Sequence, residues 1–167
     1  AELLGAPWFV TGKVIHGEKR GRELGFPTAN IKLEPNCGLK HGIYAVRVAI
    51  FTPGHSRESG NPGATRASLP GSPLARGRTE TKFFDGVASF GVRPMFDDGA
   101  PLLEVFLFDF AGDLYGQTID VAFIAWLRGE EKFTSLDALK RAIAADSDEA
   151  RVALKAAGDA FPVLGTI

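Results

Sequence analysis

The sequence has one cysteine, Cys37, one methionine, Met95, and only two Trp and two Tyr in 167 residues. A single thiol excludes an intrachain disulfide and a cysteine zinc site, and three scattered His do not replace one. This cysteine usage fits a reducing compartment, the cytoplasm. There is no run of about 18 apolar residues to span a membrane, and no signal peptide opens the chain. An excess of either charge is also missing. Nineteen Lys and Arg against twenty Asp and Glu leave a net charge of −1, which gives no overall electrostatic case for nucleic acid or a membrane surface. Because the only Met is internal, residue 1 is no initiator, and the chain is expected to be processed or cut from something longer.

Phenylalanine is plentiful, at thirteen residues, and brings apolar area without a polar tip. A length of 167 residues suggests one domain, 1–167. Five segments read as strands: 8–17, 41–51, 83–92, 101–110 and 118–129. "DDGAP" and "AGDLYGQ" supply turns between the later ones. Several strands are apolar on both faces, which suggests a small closed barrel, filled inside and partly covered outside. The period then changes. From an N-cap at Thr134 or Ser135, Leu136, Leu139, Ile143, Ala150 and Leu154 fall at helical spacing. "DSDE" at 146–149 leaves this as one helix or two, packed on the barrel. Residues 52–82 are rich in Gly, Pro, Ser, Thr and Arg. They lack the apolar content to offset their ordering entropy and read as a long loop insertion. The loop is basic, so contact with phosphate or RNA stands beside the plainer reading of a tolerated insertion.

The stretch "GRELGFPTAN", 21–30, is denser in chemistry than a turn requires. Pro27 fixes its own φ and pushes Phe26 towards extended backbone. Residues two apart in an extended segment point the same way, so Thr28 and Asn30 can offer a hydroxyl and an amide oxygen to one point. Two neutral oxygens suit a hard cation that takes its negative ligands from a phosphate chain, as Mg²⁺ does on ATP. The alternative is a Thr–Asn turn bonding its own backbone. Upstream, Gly12, Gly17, Gly21 and Gly25 permit close backbone approach, and Lys19, Arg20 and Arg22 add positive charge. No Gly-Lys-Thr/Ser leads into a helix, so this is not a Walker A loop. In "LLEVFLFDF", alternation places Leu102, Glu104, Phe106, Phe108 and Phe110 on one face. A carboxylate in an aromatic row is either paired, here with Arg47 or Arg93, or placed for a task such as general-base catalysis.

Taken together, "GKVIHGEKRGRELGFPTANI", "GIYAVRV", "GVASFGVRPMF" and "LLEVFLFDFAGDLYGQTIDVAFIAWLRGEEKF" resemble the riboflavin kinase module of bacterial bifunctional riboflavin kinase/FAD synthetases. The resemblance covers nearly the whole chain outside 52–82. It implies a six-stranded antiparallel Greek-key barrel with a C-terminal helix. It also implies transfer of the γ-phosphate of ATP to the 5′-hydroxyl of riboflavin, giving FMN and ADP. Thr28 and Asn30 match the Mg²⁺-ATP ligands. Gly17, Lys19, Gly21 and Arg22 match a glycine-rich flap over the phosphates, with Pro27 at its end, and Glu104 matches the catalytic base. Arg128 and Phe133 match the flavin side. The bacterial pattern has Asn where Ser89 stands and Thr where Met95 stands. The partner implied is the adenylyltransferase domain of a longer protein, a domain this chain is expected to lack. The competing readings are a flavin- or nucleotide-binding barrel without turnover, and a single-strand nucleic-acid barrel. The charge balance speaks against the latter.

Overall fold

The computed structural model describes residues 8–16, 28–34, 38–53, 78–92 and 100–159. Six strands close into a barrel: β1 (Trp8–Ile15), β2 (Thr28–Lys32), β3 (Gly42–Pro53), β4 (Arg78–Val92), β5 (Pro101–Leu107) and β6 (Thr118–Arg128). Their order around the barrel is β1-β2-β5-β4-β3-β6, and every pairing is antiparallel. Within it, β3, β4 and β5 are consecutive neighbours and β6 returns beside β3, which is a Greek key.

Alternation explains the two faces. Val46, Val48 and Ile50 of β3, Ala88 and Phe90 of β4, Leu103, Val105 and Leu107 of β5, and Ile119, Val121 and Phe123 of β6 meet inside. Phe90, Leu103, Ile119, Val46, Val48, Val105 and Val121 are among the largest fully buried side chains. The intervening residues face outwards. Ala45, Val87, Ile43, Phe106, Ile124 and Leu127 form a second apolar layer with Ala150 and Leu154 of the helix. This explains strands that are apolar on both sides: one face fills the barrel and the other receives a helix.

That helix, α1 (Leu136–Ala157), is continuous. Ser135 caps it, its side chain accepting from the N–H of Ala138 at 3.2 Å, and Gly158 closes it at φ 76°. "DSDE" does not divide it. Asp146 is buried against Arg128, and the Ser147 hydroxyl donates to the Ile143 carbonyl at 2.7 Å. Both polar groups are therefore satisfied without breaking a turn. Leu136, placed on the apolar stripe by its spacing, is instead exposed, and the contact face is carried by Ala150 and Leu154. No helix among the described residues is long and apolar enough to cross a membrane.

Three boundaries differ from the sequence expectation. The β3–β4 hairpin extends to Pro53 opposite Arg78, so residues 52–53 and 78–82 belong to strands although composition puts them in the loop. The Thr-Glu-Thr-Lys run has no large apolar residue to mark it, yet cross-strand pairing extends through it. Residues 54–77 lie outside the described ones. β5 stops at Leu107 because Asp109 takes φ 54°, which ends the alternation. Phe108 still faces the helix layer, but Phe110 turns to the inner cluster and meets Phe84 edge-to-face at 5.1 Å. The aromatic row expected from Leu102 to Phe110 is thus shortened. Lastly, "TANIK", read only as an extended segment, is a full barrel strand between β1 and β5.

Candidate functional site

β2 is short, and its order of residues sorts its side chains. Ala29 and Ile31 are buried in the barrel, which turns Thr28 and Asn30 to the other face. The register then sets their neighbours. Thr28 stands opposite Phe106, and Asn30 stands opposite Glu104. On its other side Glu104 stands opposite Ser89 of β4, Ser89 opposite Ile43 of β3, and Ile43 opposite Arg128 of β6. One transverse row on the outer face therefore reads Asn30, Glu104, Ser89, Ile43, Arg128. Directly opposed side chains have Cβ atoms about 4.5–5.5 Å apart. The hydroxyl of Thr28, the amide of Asn30 and the carboxylate of Glu104, 76 and 74 positions apart in sequence for Glu104 with Thr28 and Asn30, are adjacent in space.

Asn30 holds the most telling atom. Its side chain is 3% exposed, and its Oδ1 is buried without a hydrogen-bond partner among the described residues. An orphaned buried acceptor costs about 1–3 kcal/mol. A Thr–Asn turn bonding its own backbone would have satisfied it. A cation with oxygen ligands satisfies it as well, so the side chains of Asn30 and Thr28 fit a hard divalent ion. Glu104 is half-buried. Arg47, one candidate for its ion-pair partner, is engaged elsewhere: its Nε donates to Asp85 at 2.7 Å and its Nη1 to the Gly158 carbonyl at 2.5 Å. Asp85 meets the chain at Phe108, four residues beyond Glu104. Arg93 lies outside the described residues, as do Gly17, Lys19, Gly21, Arg22 and Pro27 of the expected flap.

A cavity of about 480 Å³ opens at the rim beside this row. Thr28, Val105 and Phe106 form one wall, and the β5–β6 loop from Asp109 to Tyr115 forms the other. Its volume is within the range that holds a small ligand. The loop is tied down by two backbone bonds to β1, from Val14 N–H to the Gln117 carbonyl and from Gly116 N–H to the Val14 carbonyl, both 2.9 Å. The Asp113 carboxylate accepts from the Tyr115 N–H at 2.9 Å. His16 stacks on Tyr115 with ring centroids 3.9 Å apart and planes 21° from parallel. This aromatic pair was missed in the sequence, where "AGDLYGQ" reads only as a turn. The signal available was a Tyr among Gly, Asp and Gln.

Arg128 proves to be a clamp. Its Nε and Nη2 donate to the two carboxylate oxygens of Asp146, each at 2.7 Å, and its Nη1 donates to the Gly129 carbonyl at 3.1 Å. The hydrogen bond to Asp146 is the main reason its guanidinium is held above its ordinary pKa; burial opposes this, and Glu131 and Glu149 add attraction. Phe133 lies 5.8 Å from the guanidinium. The fork therefore joins β6 to α1 at the end of the transverse row. In the sequence Asp146 reads only as part of a possible helix break.

The family model described as Flavokinase: Riboflavin kinase matches residues 4–154. The bifunctional riboflavin kinase/FMN adenylyltransferase of Haemophilus influenzae is 39% identical over 149 residues, covering 89% of this chain and 39% of that protein. The chain thus spans about two fifths of the length of the curated relatives it matches. Among solved structures, one titled macrolide-efflux protein from Streptococcus pneumoniae aligns at TM-score 0.64 and 32% identity, over 90% of this chain and 40% of that one. The riboflavin kinase of Trypanosoma brucei aligns at TM-score 0.57 and 26% identity, over 91% of this chain and 82% of that one.

Proposed function

The chain belongs to the riboflavin kinase family, whose reaction is ATP-dependent phosphorylation of riboflavin, and on that premise we propose that the Asn30–Glu104 row carries transfer of the γ-phosphate of ATP to the riboflavin 5′-hydroxyl, giving FMN and ADP. The observation behind this reading is the buried Oδ1 of Asn30, without a partner among the described residues and directly opposite Glu104. A metal-ligand oxygen and a general base on neighbouring strands are what transfer from ATP to an alcohol needs in one place.

Glu104 accepts the proton of the 5′-hydroxyl as that oxygen attacks the γ-phosphorus. The bond from phosphorus to the β,γ-bridging oxygen breaks, and ADP leaves. Thr28 and Asn30 would hold the Mg²⁺ of Mg-ATP, which when bound neutralises charge on the phosphates. Gly17, Lys19, Gly21 and Arg22, with Pro27 after them, would cover the phosphate chain with N–H groups and positive charge. The nucleotide base takes the cavity closed by Tyr115, which lies beside Thr28. The flavin takes the other direction along the row, towards Arg128 and Phe133. Strands about 4.8 Å apart place Arg128, three strands from Glu104, roughly 14 Å away, which leaves length for a flat tricyclic ring. With its fork held by Asp146, Arg128 shapes that end of the site and Phe133 offers the ring contact. Phosphoryl transfer is chiefly positioning and electrostatics, so these few groups suffice. The adenylyltransferase domain of a longer protein is the proposed partner, and the cytoplasm the proposed location.

The test is incubation with riboflavin and Mg-ATP, with flavins and nucleotides resolved by chromatography. FMN and ADP should appear in equal amounts. Flavin binding without FMN would make the chain a binding module and refute the reading.

A further inference from the structure

Ser89 is the one polar member of the central row with no role in the proposed chemistry. On the outer face of β4 it follows Val87, which belongs to the apolar layer under α1, and precedes Gly91, against which the Glu130 carboxylate lies. It is half-buried and stands directly opposite Glu104. The flanking pairs Ala88 with Val105 and Phe90 with Leu103 are interior and tightly packed. That packing fixes the register, because a one-residue slip would turn both pairs outwards. The Ser89–Glu104 juxtaposition is therefore held by the core.

We propose that Ser89 is a positioning residue whose hydroxyl donates a hydrogen bond to one carboxylate oxygen of Glu104 and leaves the other oxygen to take the substrate proton. The proposal rests on the reading of Glu104 as general base. A glutamate has three side-chain torsions, and ordering them costs conformational entropy. A base must lie within hydrogen-bond reach of the proton it removes, so an unanchored carboxylate wastes much of its time elsewhere. Ser89 suits the task by chemistry as well as place. Its hydroxyl donates, whereas the neighbouring Glu130 carboxylate only accepts. The Asn30 carboxamide, opposite Glu104 on the other side, is oriented by its cation-facing oxygen.

The experiment combines Ser89→Ala, Ser89→Thr and Glu104→Gln, singly and as the Ser89→Ala/Glu104→Gln double variant, in single-turnover phosphorylation of riboflavin by Mg-ATP. Loss of one hydrogen bond of ordinary strength predicts about a 10-fold fall in rate for Ser89→Ala. KM for riboflavin and for Mg-ATP should stay within about 2-fold, since the effect is on the reacting geometry. Ser89→Thr, which keeps the hydroxyl, should restore most of the rate. In the Glu104→Gln background, removing Ser89 should cost nothing further. An equal fractional loss in both backgrounds, or an unchanged rate for Ser89→Ala, would overturn the proposal. Failure of the parent reading is distinct: it would appear as a near-normal rate for Glu104→Gln alone. Should Ser89→Ala not fold, Ser89→Cys keeps the size, removes the strong donor, and faces the same criteria.

Discussion

Replacing Asn30 by Ala separates a ligand-binding role from a structural one, because the two predict opposite balances of stability and affinity. The side chain is 3% exposed, and its Oδ1 makes no hydrogen bond among the described residues. Deleting it removes a desolvation penalty of about 1–3 kcal/mol. Against this stands the lost packing of a small polar side chain, of similar size. The net change in unfolding free energy should stay within about 1 kcal/mol, which for a chain of this length moves Tm by only about 2–4 °C. Mg-ATP affinity should fall by about 100-fold, the upper end of what disturbing a metal site's supporting groups costs. Calorimetry gives the affinity, and thermal shift gives both readouts at once. At an Mg-ATP concentration of about 100 Kd the wild type gains about 2.7 kcal/mol from binding, whereas a variant weakened 100-fold gains about RT ln 2, or ~0.4 kcal/mol. Thus Mg-ATP should raise the wild-type Tm by roughly 5–11 °C and leave the variant nearly unmoved. A Tm loss well beyond 4 °C with unchanged Mg-ATP affinity would refute the reasoning and return Asn30 to a turn-stabilising role.

Asp146→Ala should strand the Arg128 fork, which is 27% exposed, and cost about 3 kcal/mol, lowering Tm by roughly 6–12 °C in calorimetry; a change below 2 °C would contradict the clamp. Because folding raises the Arg128 pKa, the stability it confers is complete below the unfolded value and is lost only as pH rises through the higher folded value. The Tm difference between wild type and Arg128→Met should therefore stay level from neutral to about pH 10, and a decline within that window would contradict it. Joining Pro53 to Arg78, already opposed in the hairpin, by a two-residue Asn-Gly turn in place of 54–77 should leave FMN formation within a few-fold, since loop length costs little; loss of folding or of ATP binding would count against an insertion. Supplied with riboflavin and excess Mg-ATP over a long incubation, this chain should stop at FMN, because adenylylation calls for a further nucleotide-binding domain, typically over 100 residues; steady appearance of FAD would overturn this.

The barrel was legible because its strands carry two periods of information at once. Val46, Val48 and Ile50 alternate with Ala45 and Arg47, and both faces are covered. The ends were harder to read. Glu80 to Lys82 pair as strand without an apolar mark, and the strand end at Leu107 depends on the positive φ of Asp109, which an Asp tolerates but does not announce. In the site, Pro27 and the spacing of Thr28 and Asn30 disclosed an oxygen pair, and "LLEVFLF" disclosed an out-of-place carboxylate. Their adjacency, 74 positions apart for Asn30 and Glu104, is a product of register and could be had only from the β2–β5 pairing. The Arg128–Asp146 clamp and the His16–Tyr115 stack escaped for the same reason: each joins elements remote in sequence. A polar residue within a helical stretch reads as a break until its partner is in place.

The most direct measurement is the single-turnover rate of FMN formation by wild type and Glu104→Gln, each first shown by flavin fluorescence to be saturated with riboflavin and by calorimetry to bind Mg-ATP. With both substrates in place, a general base opposite Asn30 predicts a loss of about 10²–10⁴-fold in the variant. A variant that holds both substrates and makes FMN at a near-normal rate would show that Glu104 does not take the proton.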